Sequence, residues 1–106
     1  MHRVMRLLVM FDLPVTTATD RKNYRKFRKF LQENGYAMLQ YSVYSKIVLN
    51  HSALQFQKST LYENLPKAGH VDMLLITEKQ FANMERFNKP QRVEEHVMTI
   101  ERIIEL

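Results

Sequence analysis

Three short runs rich in apolar, aromatic and β-branched residues, 4–12, 36–48 and 71–77, are separated by two stretches of helical periodicity within only 106 residues. That alternation leaves few architectures open. The first run, VMRLLVMFD, reads as a buried strand closed by Asp12 and then by Leu13-Pro14. Residues 16–19 form a loop, with Thr19 or Asp20 placed to cap a helix that runs from Asp20 to Asn34 and stops at Gly35. Tyr36 to Val48 reads as one long strand or as a strand bent into two. Ser52 to Leu65 carries Leu54, Lys58, Leu61, Tyr62 and Leu65 at helical spacing, and Pro66 and Gly69 end it. Val71 to Thr77 is a further buried strand. Beyond it the expectation is a turn of helix at 79–81, a strand around 84–87, and a terminal strand or helix over 97–106.

With the middle run bent into two, the order becomes β-α-β-β-α-β, an α+β ferredoxin-like sandwich with an additional C-terminal strand. Both helices then pack on one face of an antiparallel sheet and leave the other face for a partner. The chain lacks a linker, a repeat or a low-complexity stretch, so residues 1–106 are expected to form a single domain. A domain of this size buries a modest share of its surface, and dimerisation is a natural way to enlarge the core. With no cysteines, a disulfide framework, a thiolate metal site and a cysteine nucleophile are all excluded. The apolar run Leu7–Phe11 is too short for a membrane span or signal core, and a cytoplasmic location is expected.

Sixteen Lys and Arg against eleven Asp and Glu give a formal charge of +5. Six of the basic residues fall in nine positions of the first helix: Arg21, Lys22, Arg25, Lys26, Arg28 and Lys29. At about 100° per residue, Tyr24, Phe27, Phe30 and Leu31 gather on one side of that helix and the basic residues spread around the other. A solubilising helix face usually mixes signs, because like charges four residues apart oppose each other. Here Arg21/Arg25, Lys22/Lys26 and Arg25/Lys29 repeat the same sign, which points to a polyanion such as a nucleic-acid backbone, gripped without reading its sequence.

Asp12 sits at the tip of the first strand, where an aspartate either caps a turn or carries an ion. One carboxylate is few for a hydrolytic metal, but a two-fold dimer would double it. His2, His51, His70 and His96 show no metal-ligand spacing and read as incidental; Ser42 has no His–Asp arrangement near it.

The segments LLVMFDLP (7–14), TTATDRKNYRKFRKFLQENGY (16–36) and QYSVYSKIV (40–48) closely resemble the small adaptation subunit of CRISPR systems, the CRISPR-associated endoribonuclease family, in its type II-like form. The likeness continues more loosely through LPKAGHVDMLLITEKQFANME (65–85). The resemblance implies a ferredoxin-like homodimer with a divalent metal, Mg2+ or alternatively Mn2+, held between subunits by Asp12, which would also be its catalytic residue. Phe11 stands where many members have tyrosine. It further implies a metal-dependent endonuclease acting on RNA or DNA, and a role in spacer acquisition in which the dimer bridges dimers of the CRISPR integrase and binds double-stranded spacer-precursor DNA. A membrane is not among the expected partners. The competing class is a ferredoxin-like RNA-binding module or RNA-cleaving toxin, with Tyr41 and Tyr44 on the sheet as base-stacking candidates.

Overall fold

The computed structural model describes residues 4–88. They form β1 (Met5–Asp12), α1 (Ala18–Glu33), β2 (Ala37–Gln40), β3 (Val43–Val48), α2 (His51–Glu63), β4 (His70–Thr77) and α3 (Glu78–Ala82). All strand pairs are antiparallel, in the order β2-β3-β1-β4. This is the ferredoxin-like arrangement expected from the sequence, with β1 at the centre. The expected C-terminal strand lies outside the described residues.

β1 is amphipathic by alternation, and its two faces meet different things. Leu7, Val9 and Phe11 turn toward the helices and join Phe27 and Leu31 of α1, Tyr44 and Val48 of β3, and Leu54 and Leu61 of α2 in the core. The Phe11 ring meets Phe27 edge-on, with centroids 5.1 Å apart and planes at 88°. The other face carries Arg6, Leu8, Met10 and Asp12, with Val43, Ser45 and Ile47 beside them on β3 and Leu74 and Ile76 on β4. At one end of it the Arg6 guanidinium holds Glu78 through two bonds of 2.7 and 2.8 Å and lies 4.2 Å from the Phe81 ring centre, which fastens α3 to β1. On this face Ile47 and Leu74 remain 46% and 49% exposed, while Leu8 and Ser45 between them are buried.

The middle run is bent into two strands. The bend is at Tyr41–Ser42, where Ser42 has φ 66° and its hydroxyl lies 3.2 Å from the Tyr24 hydroxyl of α1. The cap of α1 is Thr17, not Thr19 or Asp20. Thr17 Oγ1 accepts from the Asp20 amide at 3.0 Å, and the Asp20 carboxylate accepts from the Thr17 amide at 3.1 Å, so Asp20 serves as the third residue of a capping box. α2 is capped by Asn50 and ends at Glu63 rather than Leu65. Its buried face is Leu54, Gln57 and Leu61; Lys58, Tyr62 and Leu65 are exposed. Gln57 replaces Lys58 in that stripe because its Oε1 accepts from the buried Tyr36 hydroxyl at 3.2 Å. Burial pushes the Tyr36 phenol up to about 12.

The helical turn expected at 79–81 is present as α3, closed by a Thr77–Gln80 capping box. The strand expected around 84–87 is absent. Asn83 caps α3 and the Met84 amide bonds back to Phe81 O at 3.2 Å, so the chain leaves in a turn and not in a ladder.

Candidate metal centre and nucleic-acid face

Asp12 is the last residue of β1 and is exposed. Among the described residues its carboxylate makes no ion pair, and it is absent from the side-chain hydrogen bonds of the loop that follows. The expectation that it caps a turn is therefore not met among the described residues. Its backbone is fixed from the other side by Gly69. This glycine has φ +92°, and a Cβ there would sit 2.5 Å from Asp12 O and 3.0 Å from Leu13 Cα. The start of β4 thus presses directly on the end of β1, and only glycine fits.

The register then sets His70 directly across from Asp12, and Asp72 across from Met10. Residues paired across a ladder share a face, so Asp12, His70 and Asp72 all lie on the side of the sheet opposite α1 and α2. His70 is the site residue that the linear sequence concealed. Its spacing to Asp12 carries no motif, and only the pairing of β1 with β4 brings the two together. His51 is elsewhere, at the first turn of α2, and His2 and His96 lie outside the described residues.

The donor set of one chain is sparse. No three His, Cys, Asp or Glu side chains among the described residues group closely enough to hold a metal ion. A carboxylate with no partner among the described residues still fits a hard divalent cation that keeps most of its ligands as water, substrate phosphate or groups from a second copy. The residue before it contributes nothing to that set. The Phe11 ring is 7% exposed on the helix side of the sheet, in contact with Tyr24, Phe27 and Tyr44. A tyrosine hydroxyl at position 11 would point into this aromatic core, away from the face that bears Asp12.

All six basic residues of α1 are exposed, while Phe27 and Leu31 are buried and Tyr24 and Phe30 half-buried, as the periodicity required. They are not equivalent. Arg21 donates to Val15 O at 3.2 Å and Thr16 O at 2.9 Å, so it braces the β1–α1 loop. Lys29 reaches Glu33 at 3.7 Å, a solvated pair of little energetic weight. Arg28 lies by the Tyr44 phenol, which burial pushes up and the guanidinium partly pulls back. Lys22, Arg25 and Lys26 have no hydrogen-bonded or ionic partner among the described residues. The cationic side of α1 faces away from the sheet, whereas Asp12 is on the sheet's far side. One chain therefore does not bring the two sets of residues into a single site.

Of the two stacking candidates, Tyr44 is 1% exposed and stacked on Phe11 at 5.8 Å, while Tyr41 is 74% exposed at the β2–β3 turn. Tyr44 is a core residue and has no face to offer a base. No helix among the described residues is long and apolar enough to cross a membrane.

The family model described as CRISPR associated protein Cas2 matches residues 5–84. The CRISPR-associated endoribonuclease Cas2 of Streptococcus mutans serotype c is 55% identical over 80 residues, 76% of this chain and 73% of its own. That of Ligilactobacillus salivarius is 46% identical over 80 residues, 76% and 79% of the two chains. The protein of the same name from Treponema denticola is 43% identical over 102 residues, 96% of this chain and all of the relative.

Proposed function

The chain belongs to the Cas2 family of CRISPR-associated proteins, and from that premise we propose that it acts in spacer acquisition as a homodimer that bridges integrase dimers and grips spacer-precursor duplex by its phosphate backbone, with metal-dependent endonuclease activity at Asp12 as a second capacity. The observation that carries the reading is the split of the molecule into two unlike faces. α1 presents Lys22, Arg25 and Lys26, unpartnered among the described residues and on the side away from the sheet, suited to a polyanion. The opposite face keeps Ile47 and Leu74 about half exposed, with Asp12 at its end, and is suited to a second copy.

In a two-fold pair of such faces, two Asp12 carboxylates would hold one divalent ion, Mg2+ or Mn2+. A metal held there would supply polarisation of a phosphate and a bound water of lowered pKa. The chain's own contribution is to hold the carboxylate in place: β1 ends on it, Gly69 backs its carbonyl, and the aromatic core beneath Phe11 keeps the strand tip rigid. Among the described residues no three His, Cys, Asp or Glu side chains gather at Asp12, which is sparse machinery for hydrolysis and supports the scaffold as the primary role and the nuclease as the lesser one. The base-stacking RNA module keeps only one of its two candidates, the exposed Tyr41, because Tyr44 is buried.

Integration by the cognate integrase, assayed with wild type and with Asp12→Ala, tests the reading. Integration that survives the substitution, with complex formation unchanged, is the expected result for a scaffold. Lost integration with intact assembly would make Asp12 chemistry part of the reaction. No dependence of integration on the chain at all would overturn the proposal.

A further inference from the structure

We infer that His70 is a second protein donor to the divalent ion at Asp12, so that the site prefers a borderline transition-metal ion to Mg2+. The inference rests on the reading of Asp12 as a metal ligand and extends it to a residue for which that reading has no role. Its basis is the β1–β4 ladder. His70 is the direct cross-strand partner of Asp12, both are exposed, and both lie on the face opposite α1 and α2. Directly paired residues place their Cβ atoms about 4.5–5.5 Å apart, a span across which an imidazole nitrogen and a carboxylate oxygen can close on one ion.

Three further features favour that use. The two side chains do not form an ion pair with each other, so neither is already satisfied by its neighbour. The contact of Gly69 with Asp12 O and Leu13 Cα locks the two strand ends together immediately beside the pair, so its spacing is fixed by backbone rather than by flexible side chains. The donor chemistry is selective as well. A neutral imidazole raises affinity along the first transition row and suits ions such as Co2+, whereas Mg2+ takes oxygen ligands and retains its water. Asp72, the next residue of β4 on this face, does not complete a three-ligand group, which leaves a two-donor bite open to water and phosphate.

The test is direct metal binding by the full chain free of nucleic acid. Co2+ is titrated in and followed by its d–d absorption, Mg2+ is measured by competition, and wild type is compared with His70→Gln and Asp12→Asn. We expect His70→Gln to weaken Co2+ by at least about tenfold, the scale on which even a ligand's hydrogen-bond partner moves affinity, and to shift the absorption bands as nitrogen leaves the shell. Its Mg2+ affinity should stay close to that of wild type, and Asp12→Asn should weaken both ions. Loss of binding in Asp12→Asn with unchanged Co2+ affinity and spectrum in His70→Gln would overturn the His70 inference alone. Equal Co2+ and Mg2+ binding in all three proteins would overturn the metal reading of Asp12 and this inference with it.

Discussion

Replacing Gly69 by alanine should damage the protein far more than the same replacement at Gly35, although both glycines have left-handed backbone, φ +92° and +83°. The shared part of the penalty is conformational: an L-residue in that region costs about 1–2 kcal/mol. A gain of about 0.4–1 kcal/mol from the stiffer unfolded chain offsets part of it. The difference lies in what the new methyl group meets. At Gly35 the near atom is Lys46 Nζ at 2.6 Å, the end of a flexible side chain that can swing away and give up its bond to Asn34 O. At Gly69 two of the three near atoms are backbone, Asp12 O at 2.5 Å and Leu13 Cα at 3.0 Å, with Leu13 Cδ2 between them at 2.8 Å. Real Cβ contacts respect 3.0 Å, so the first of these must open by at least half an ångström.

That opening moves either the end of the central strand or the start of its neighbour, and forced backbone shifts of this kind add about 1–3 kcal/mol. At about 4–8 °C per kcal/mol for a domain near this size, Gly69→Ala should melt roughly 5–20 °C below Gly35→Ala. Thermal unfolding followed by circular dichroism measures it, with hydrogen exchange at Asp12 and Leu13 as the local readout. If the two variants melted within about 2 °C of each other, the close approach of Gly69 to Asp12 would not be a structural constraint, and the rigid placement of the carboxylate argued from it would fall.

Tyr36→Phe removes the donor to Gln57 Oε1 and should lower stability by about 1–2 kcal/mol, since Gln57 is left buried without that bond. The Tyr36 phenol rises from 10.0 to about 12 on folding, so its contribution is complete below pH 10 and is lost as pH climbs toward 12, by about 2–3 kcal/mol in all; urea unfolding at pH 9 and pH 11 should show a steeper loss in wild type than in the variant, and parallel losses would contradict this. Arg6→Ala should cost about 1–2 kcal/mol and release amide protection over Glu78–Ala82, and Arg6→Lys should not restore it, because an ammonium cannot reproduce the two-pronged bond to Glu78. Full stability in Arg6→Lys would show that charge alone fastens α3. Neutralising Lys22, Arg25 and Lys26 together to Gln should weaken duplex binding regardless of sequence and flatten the dependence of log affinity on log salt by about 2–3 units, at roughly 0.9 per phosphate contact; an unchanged slope would remove α1 from the interface.

What could be read along the chain was whatever depends on near neighbours. The alternation in Leu7, Val9 and Phe11 against Arg6, Leu8 and Met10 gives β1 its two faces, and the spacing of Phe27 and Leu31 gives α1 its buried side. Features set by distant partners stayed hidden. Ser42 is neither glycine nor proline, so the bend that divides Tyr36–Val48 announces itself weakly; its positive φ is accompanied by a contact with the Tyr24 hydroxyl, 18 positions away. Gln57 looks like a surface residue until Tyr36, 21 positions away, donates to it. Within 16–20 every residue but Ala18 can cap, and the choice of Thr17 comes from its reciprocal bonds with Asp20.

The candidate site divides in the same way. Asp12 and the basic residues of α1 are legible because a strand tip and a helix face are local patterns. The partner of Asp12 is not, because a ladder position has no spacing signature: His70 is opposite Asp12 only once β1 and β4 are paired in one register. A slip of one residue would turn His70 to the helix side and bring Val71, now packed against the core, onto the face of Asp12. Gly69, visible in the sequence only as a helix stop, helps prevent that slip, since its contact with Asp12 O and Leu13 Cα is available only in the observed register. The same backbone contact that shapes the end of the sheet therefore determines which side chain the exposed carboxylate faces.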